Sequence, residues 1–112
     1  MSGISTHILD TSKGSPARGV RVVLERRSLD EDWAEAGRGV TDQNGRVAEL
    51  LGNGEGLQSA SYRLTFAVGE YFQGQECFYP EVTVQFDVRD ASVHYHVPLL
   101  LSPYGYTTYR GS

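Results

Sequence analysis

The 112-residue chain has a single cysteine, Cys77, so neither an intrachain disulfide framework nor a multi-cysteine metal site can be built from it. It has no basic surplus. Ten Lys and Arg stand against fourteen Asp and Glu, a formal net charge of −4, which is not the electrostatic footprint of a nucleic-acid binder. Apolar runs are short, Leu99-Leu100-Leu101 being typical, whereas a membrane-crossing helix needs about 20 such residues. The opening Met1-Ser2-Gly3-Ile4 has neither the charged start nor the apolar stretch of a signal peptide. There is no phosphate loop, no serine nucleophile elbow and no acidic pair of glycosidase character. These absences predict a cytoplasmic protein with no nucleic-acid or membrane partner. What remains is ordinary for a folded chain, with 39% hydrophobic and 21% charged residues, and the length suits one domain over residues 1–112.

Period-two alternation dominates the patterning. Tyr62, Leu64, Phe66 and Val68 alternate with Arg63, Thr65 and Ala67, and Val82, Val84, Phe86 and Val88 alternate with Thr83, Gln85 and Asp87. Val20, Val22 and Leu24 follow the same rule less cleanly. A strand with one buried and one solvated face requires this pattern. Further strands are expected at Ile4–Asp10, Ala34–Thr41, Arg46–Leu50, Val93–Leu101 and Tyr106–Arg110, eight in all. Lys13-Gly14-Ser15-Pro16 separates the first two strands, Asp42-Gln43-Asn44-Gly45 reads as a tight hairpin turn, and Gly52–Gly56 as a flexible loop. One short helix is expected around Gly69–Gln75. The fold class is therefore all-β, an eight-stranded antiparallel β-sandwich with one short helix.

Chemistry has few places to reside. If Thr6 and Ile8 face the core, then Ser5, His7 and Leu9 face outward together. His94 and His96, two apart on a strand, share a face, opposite Tyr95, Val97, Leu99 and Leu101. All three histidines can thus stand on outward faces, where a neutral imidazole suits general-base work. Each also has a plainer reading as a solvated strand residue, His94 above all. A His-x-His pair joined by His7 would alternatively ligate a catalytic zinc, although no carboxylate can be assigned to support it. Arg46, directly after Asn44-Gly45, is either a solvated turn residue or a planar fork for a planar anion. Cys77 lacks an activating neighbour and reads as a buried structural thiol.

Two stretches carry a resemblance. Ser5-Thr6-His7-Ile8-Leu9-Asp10 with Gly14-Ser15-Pro16-Ala17, and His94-Tyr95-His96-Val97-Pro98 through Tyr109-Arg110-Gly111-Ser112, are similar to the two ends of the transthyretin-like family. The closing Tyr-Arg-Gly-Ser resembles the 5-hydroxyisourate hydrolase branch, since transthyretin shares the Leu-Leu-Ser-Pro-Tyr segment but not that ending. Phe78–Val82 and the Asn-Gly-Arg turn fit as well, so the resemblance covers essentially the whole chain.

The resemblance implies a homotetramer with sites in a channel between dimers. It also implies a cofactor-independent opening of the 5-hydroxyisourate ring, without metal, in urate degradation. His7, Arg46 and His96 would be catalytic, and His7, Arg46, Tyr109, Arg110 and Ser112 would bind substrate. The sequence leaves the water-activating base open between His7 and His96. The rival from another class is a transthyretin-like carrier of a small hydrophobic ligand, whose channel would have apolar walls.

Overall fold

A computed structural model describes residues 3–112, so Met1 and Ser2, where the leader reading begins, lie outside the described residues. Among these residues nine strands and one helical turn follow in order. They are β1 (Gly3–Asp10), β2 (Ser15–Pro16), β3 (Arg21–Arg27), β4 (Trp33–Val40) and β5 (Arg46–Val47), then β6 (Ala60–Phe66), α1 (Val68–Tyr71), β7 (Val82–Val88), β8 (His94–Ser102) and β9 (Gly105–Thr108). One sheet runs β2-β1-β8-β9 with β5 also pairing β1, and the other runs β4-β3-β6-β7. Alternation fixes which face of each is apolar. Ile4, Ile8, Leu99 and Leu101 from the first sheet are fully buried together with Leu24, Tyr62, Leu64 and Phe66 from the second. The expected sandwich is therefore present. Among the described residues no helix is long and apolar enough to cross a membrane.

The differences from expectation lie in pairing. β1 and β8 are parallel neighbours, Ile4 opposite Tyr95 and Ile8 opposite Leu99, in an otherwise antiparallel sandwich. Their relative direction is set by chain crossing between sheets, which period two does not encode. Ser15–Pro16 adds a two-residue strand against Leu9 and Asp10. The strand expected at Arg46–Leu50 stops at Val47 because Glu49 intervenes. Its carboxylate accepts the N–H groups of Ile4 (3.1 Å) and Leu51 (3.0 Å), taking a β1 donor that a longer β5 would have used. The Asn44-Gly45 turn forms, but it links β4 in one sheet to β5 in the other and closes no hairpin.

β9 also ends early, at Thr108 instead of Arg110. The register that sets Leu99 against Thr108 would set Pro98 against Tyr109. His96 offers its carbonyl to this side, accepting from the Gly111 N–H at 2.9 Å, and Pro98, two residues on, faces the same way but has no N–H to donate. The ladder lapses at Pro98 and resumes at the bridge between His96 and Gly111. The helical segment is a single turn, Val68–Tyr71, which begins one residue before the expected span and ends well short of Gln75. Cys77 is half-buried against the core edge, not enclosed, with its thiol 3.7 Å from the Tyr79 carbonyl oxygen.

Candidate active site

The β1–β8 register places Gly3 beside His94, Ser5 beside His96 and His7 beside Pro98. The pleat that turns Ile4 and Ile8 inward turns Ser5 and His7 outward, and the one that buries Tyr95 and Val97 turns His94 and His96 outward. On the other edge of β1, β5 sets Arg46 directly opposite His7. Three histidines and an arginine thus meet on one outer face, drawn from three strands.

Arg46 is held there through its backbone. The Asp42 carboxylate accepts the N–H groups of Asn44 at 2.8 Å and of Arg46 at 3.0 Å. The Arg46 N–H, then that of Asn44, hold the Asp42 carboxyl below its ordinary value, and the positive field of Arg46 adds to this. Gly45 closes the turn at φ +75°, where a Cβ would fall 2.5 Å from the Ile8 carbonyl oxygen, so both conformation and space demand glycine. Among the described residues the Arg46 guanidinium forms no salt bridge with a carboxylate, which leaves its fork for a ligand.

Beneath these groups lies an open cleft of about 790 Å³. Arg46, His94 and His96 line it, with Ser5, Asp42 and the terminal Arg110, Gly111 and Ser112. The C-terminus is brought there by the Gly111 bridge to His96. His7 is not part of this lining; it stands opposite Arg46 on β1. Tyr109 lies elsewhere: with Phe86 and Val97 it lines a separate cleft of about 240 Å³ at the open end of the sandwich. His96 and Arg110 border both clefts, and the Arg110 guanidinium sits 4.6 Å from the centre of the Tyr95 ring.

His96 is the histidine whose titration the surroundings clearly bias. Burial pushes its imidazole below the ordinary histidine value, and the positive charge of Arg46, then coupling to the His7 and His94 imidazoles, acts the same way. It is therefore neutral at neutral pH. Its Nδ1 lies 2.8 Å from the Ser5 hydroxyl, which also lies 2.7 Å from His94 Nε2. That shared hydroxyl occupies one nitrogen of each ring and leaves His94 Nδ1 and His96 Nε2 outside it. Among the described residues no three His, Cys, Asp or Glu side chains converge as a metal-holding group.

Ser5, Asp42 and Gly111 were not marked as site residues by the sequence. For Ser5 the signal existed, since it shares the outward face of His7, but a serine without a known neighbour implies no chemistry. Gly111 belongs to the Tyr-Arg-Gly-Ser ending that carries the resemblance, and packing shows what it does there. A Cβ there would fall 2.6 Å from His96 Cδ2 and 3.0 Å from Pro98 Cγ, so the glycine lets the terminus lie flat against the imidazole. Gly111→Ala is expected to displace the His96 ring and lower kcat by about 10²-fold, the scale of loss from a misplacement of ~1 Å. The melting temperature should barely move, because the contact lies outside the hydrophobic core; steady-state kinetics beside a thermal melt checks both.

The family model described as HIUase/Transthyretin family matches residues 4–111. The chain belongs to the HIUase/Transthyretin family. Within it, a 5-hydroxyisourate hydrolase from Salmonella dublin is 46% identical over 97% of this chain and 80% of its own length. Another from Caulobacter vibrioides is 45% identical over the whole of both chains. Among solved HIUase/Transthyretin structures, transthyretin from Sparus aurata superposes with a TM-score of 0.90 at 32% identity, covering 99% of this chain and 97% of its own. The Klebsiella pneumoniae 5-hydroxyisourate hydrolase gives a TM-score of 0.84 at 36% identity, covering 99% and 100%. Backbone likeness alone therefore does not separate the two branches of the HIUase/Transthyretin family, and the discrimination falls to side chains.

Proposed function

We propose that this protein hydrolyses 5-hydroxyisourate to 2-oxo-4-hydroxy-4-carboxy-5-ureidoimidazoline, a step of urate degradation. The observation that carries the reading is a half-buried histidine biased to neutrality, His96, in one cleft with Arg46, whose guanidinium pairs with no carboxylate among the described residues. Opening a cyclic amide requires an activated water and a place for the charge that develops on the carbonyl oxygen. His96 takes the proton from water as its oxygen adds to the ring carbonyl, and Arg46 orients the planar substrate and stabilises the oxyanion. The ring C–N bond then breaks as its nitrogen takes that proton from His96. His7, opposite Arg46 on β1, assists in binding and proton transfer. Arg110 and Ser112 contact substrate from the terminal wall of the cleft. Tyr109 lines the smaller cleft, which shares His96 and Arg110 with this one, and contacts substrate only where substrate extends into it. The chain's own residues supply all of these roles, without a cofactor.

The relatives named as 5-hydroxyisourate hydrolases support the substrate assignment. A sea bream transthyretin solved in complex with thyroxine, with a TM-score of 0.88 at 32% identity, shares this backbone, so the carrier is the rival reading. The imidazoles and guanidinium of the present cleft support hydrolysis instead, since a carrier of an apolar ligand gains nothing from burying polar groups. The site is open on its outer face, and we place it in a channel formed by symmetric assembly into a homotetramer. The single thiol, Cys77, suits a reducing, cytoplasmic setting. The reading is tested by the ultraviolet absorbance of freshly generated 5-hydroxyisourate. Its decay is expected to accelerate in proportion to added protein, and decay at the spontaneous rate would refute the assignment.

A further inference from the structure

Ser5 has one hydroxyl proton and two imidazole neighbours, His94 Nε2 at 2.7 Å and His96 Nδ1 at 2.8 Å. The hydroxyl can donate to only one of them. The other nitrogen must carry its own hydrogen and donate to Oγ. Two neutral arrangements satisfy this rule. In the first, His96 donates from Nδ1 to Oγ, and Ser5 donates onward to His94 Nε2, so that the lone pair of His96 lies on Nε2. In the second, His94 donates from Nε2 and Ser5 donates to His96 Nδ1. The His96 hydrogen then sits on Nε2, and the ring has no free lone pair with which to take a proton.

The chemistry of the protonated ring distinguishes them. Once His96 is an imidazolium, Nδ1 must carry a hydrogen, and that hydrogen must go to Oγ. The first arrangement already has every hydrogen bond in that sense, so protonation at Nε2 reorients nothing. The second would require the Ser5 hydroxyl to turn and His94 to shift its own hydrogen. A site whose dipoles are set before the reaction avoids that reorganisation. The backbone supports the same geometry. Ser5 and His96 are cross-strand partners on β1 and β8, Ser5 is buried, and both rings project from one face of β8. The three groups are thus fixed by sheet register and do not depend on a loop.

We infer that Ser5 is a positioning residue that holds His96 in the Nδ1–H tautomer, with His94 as the acceptor that completes the chain. This rests on the hydrolytic reading for its consequence, but the tautomer itself can be observed without substrate. His94 then has a role distinct from that of metal ligand or solvated strand residue. It gives the Ser5 hydroxyl somewhere to point.

The test compares wild type, Ser5→Ala, Ser5→Thr and His94→Asn by long-range proton–nitrogen NMR of the histidine side chains and by steady-state kinetics. Wild type is expected to show the Nδ1–H tautomer at His96. Ser5→Ala should move it toward Nε2–H and lower kcat by about 10–100-fold with little change in KM, less than the ~10⁴ lost when a catalytic histidine's orienting carboxylate is replaced. Ser5→Thr keeps the hydroxyl on a β-branched residue suited to a strand and should restore both readouts. His94→Asn should shift the His96 tautomer in the same direction as Ser5→Ala. An Nε2–H tautomer in wild type overturns the inference. So does a folded Ser5→Ala variant with an unchanged His96 tautomer or an unchanged kcat. A wild type that shows the Nδ1–H tautomer yet leaves 5-hydroxyisourate untouched refutes the hydrolytic reading while leaving the tautomer assignment in place.

Discussion

His96→Asn is expected to lower kcat by about 10²–10⁴-fold, the range for loss of a general acid or base, while the folded state survives. Asparagine keeps a polar group of similar reach at a half-buried position, and the core on the other face of β8 is untouched. The pH profile gives the loss its meaning. Burial, then the charge of Arg46 and coupling to the His7 and His94 imidazoles, hold the His96 imidazole below its ordinary value of ~6.5. The base works in its neutral form, so activity is present above the folded-state pKa and lost as pH falls through it. Because that pKa is lowered, the acidic limb of kcat/KM in wild type should have its midpoint below ~6.5. In His96→Asn that limb should disappear from whatever activity remains. A folded variant that keeps both near-normal turnover and the limb would assign the base to another group.

The second large effect is expected at Arg46. Its turn is secured by the Asp42 carboxylate bonding its backbone N–H at 3.0 Å, so the side chain can be changed without dismantling the loop. Arg46→Lys retains the charge but loses the planar fork, and should both raise KM and lower kcat. Arg46→Gln loses the charge as well. Removing one donor to a developing oxyanion costs ~10²–10³-fold in kcat, and the charge-free variant should reach at least that. The two variants should also separate in their pH dependence. Arg46 is the largest charged contributor to the lowered His96 pKa, so its removal lets the imidazole protonate more readily and moves the acidic limb to higher pH. Lysine, still positive, should leave the limb near its wild-type position. An identical shift for both variants would mean that steric change, not charge, governs His96.

The sandwich was legible in the sequence because period two is a statement about faces. Leu64 and Phe66 point inward and Thr65 outward whatever strand lies next to them. The same rule placed His7, His94 and His96 outward. Neighbours were not legible. That Ser5 sits against His96, and Arg46 against His7, follows from the register of a parallel pair and of a two-residue strand, and alternation is silent on both. The true extent of β5 depended on Glu49 using its side chain as a backbone acceptor, which no propensity conveys. The early end of β9 could have been read from Pro98, but only with the knowledge that Tyr109 would face it. The residues singled out by the family resemblance carry the chemically active groups, His96 and Arg46. Of the groups that position them, Ser5 and Asp42 emerge only from hydrogen bonds, while Gly111 stood in the terminal motif and gains its role from close packing.

The central claim is that the cleft holding His96 and Arg46 opens the ring of 5-hydroxyisourate by hydrolysis. It is tested most directly by following carbon-13-labelled 5-hydroxyisourate, freshly made by enzymatic oxidation of labelled urate, by NMR in parallel samples with wild type, with His96→Asn and without protein. With wild type, the substrate signals should be replaced by those of the ring-opened carboxylate well before the protein-free sample changes, and His96→Asn should track the protein-free sample closely. Equal rates with wild type and without protein, or equal acceleration by wild type and a folded His96→Asn variant, would contradict it.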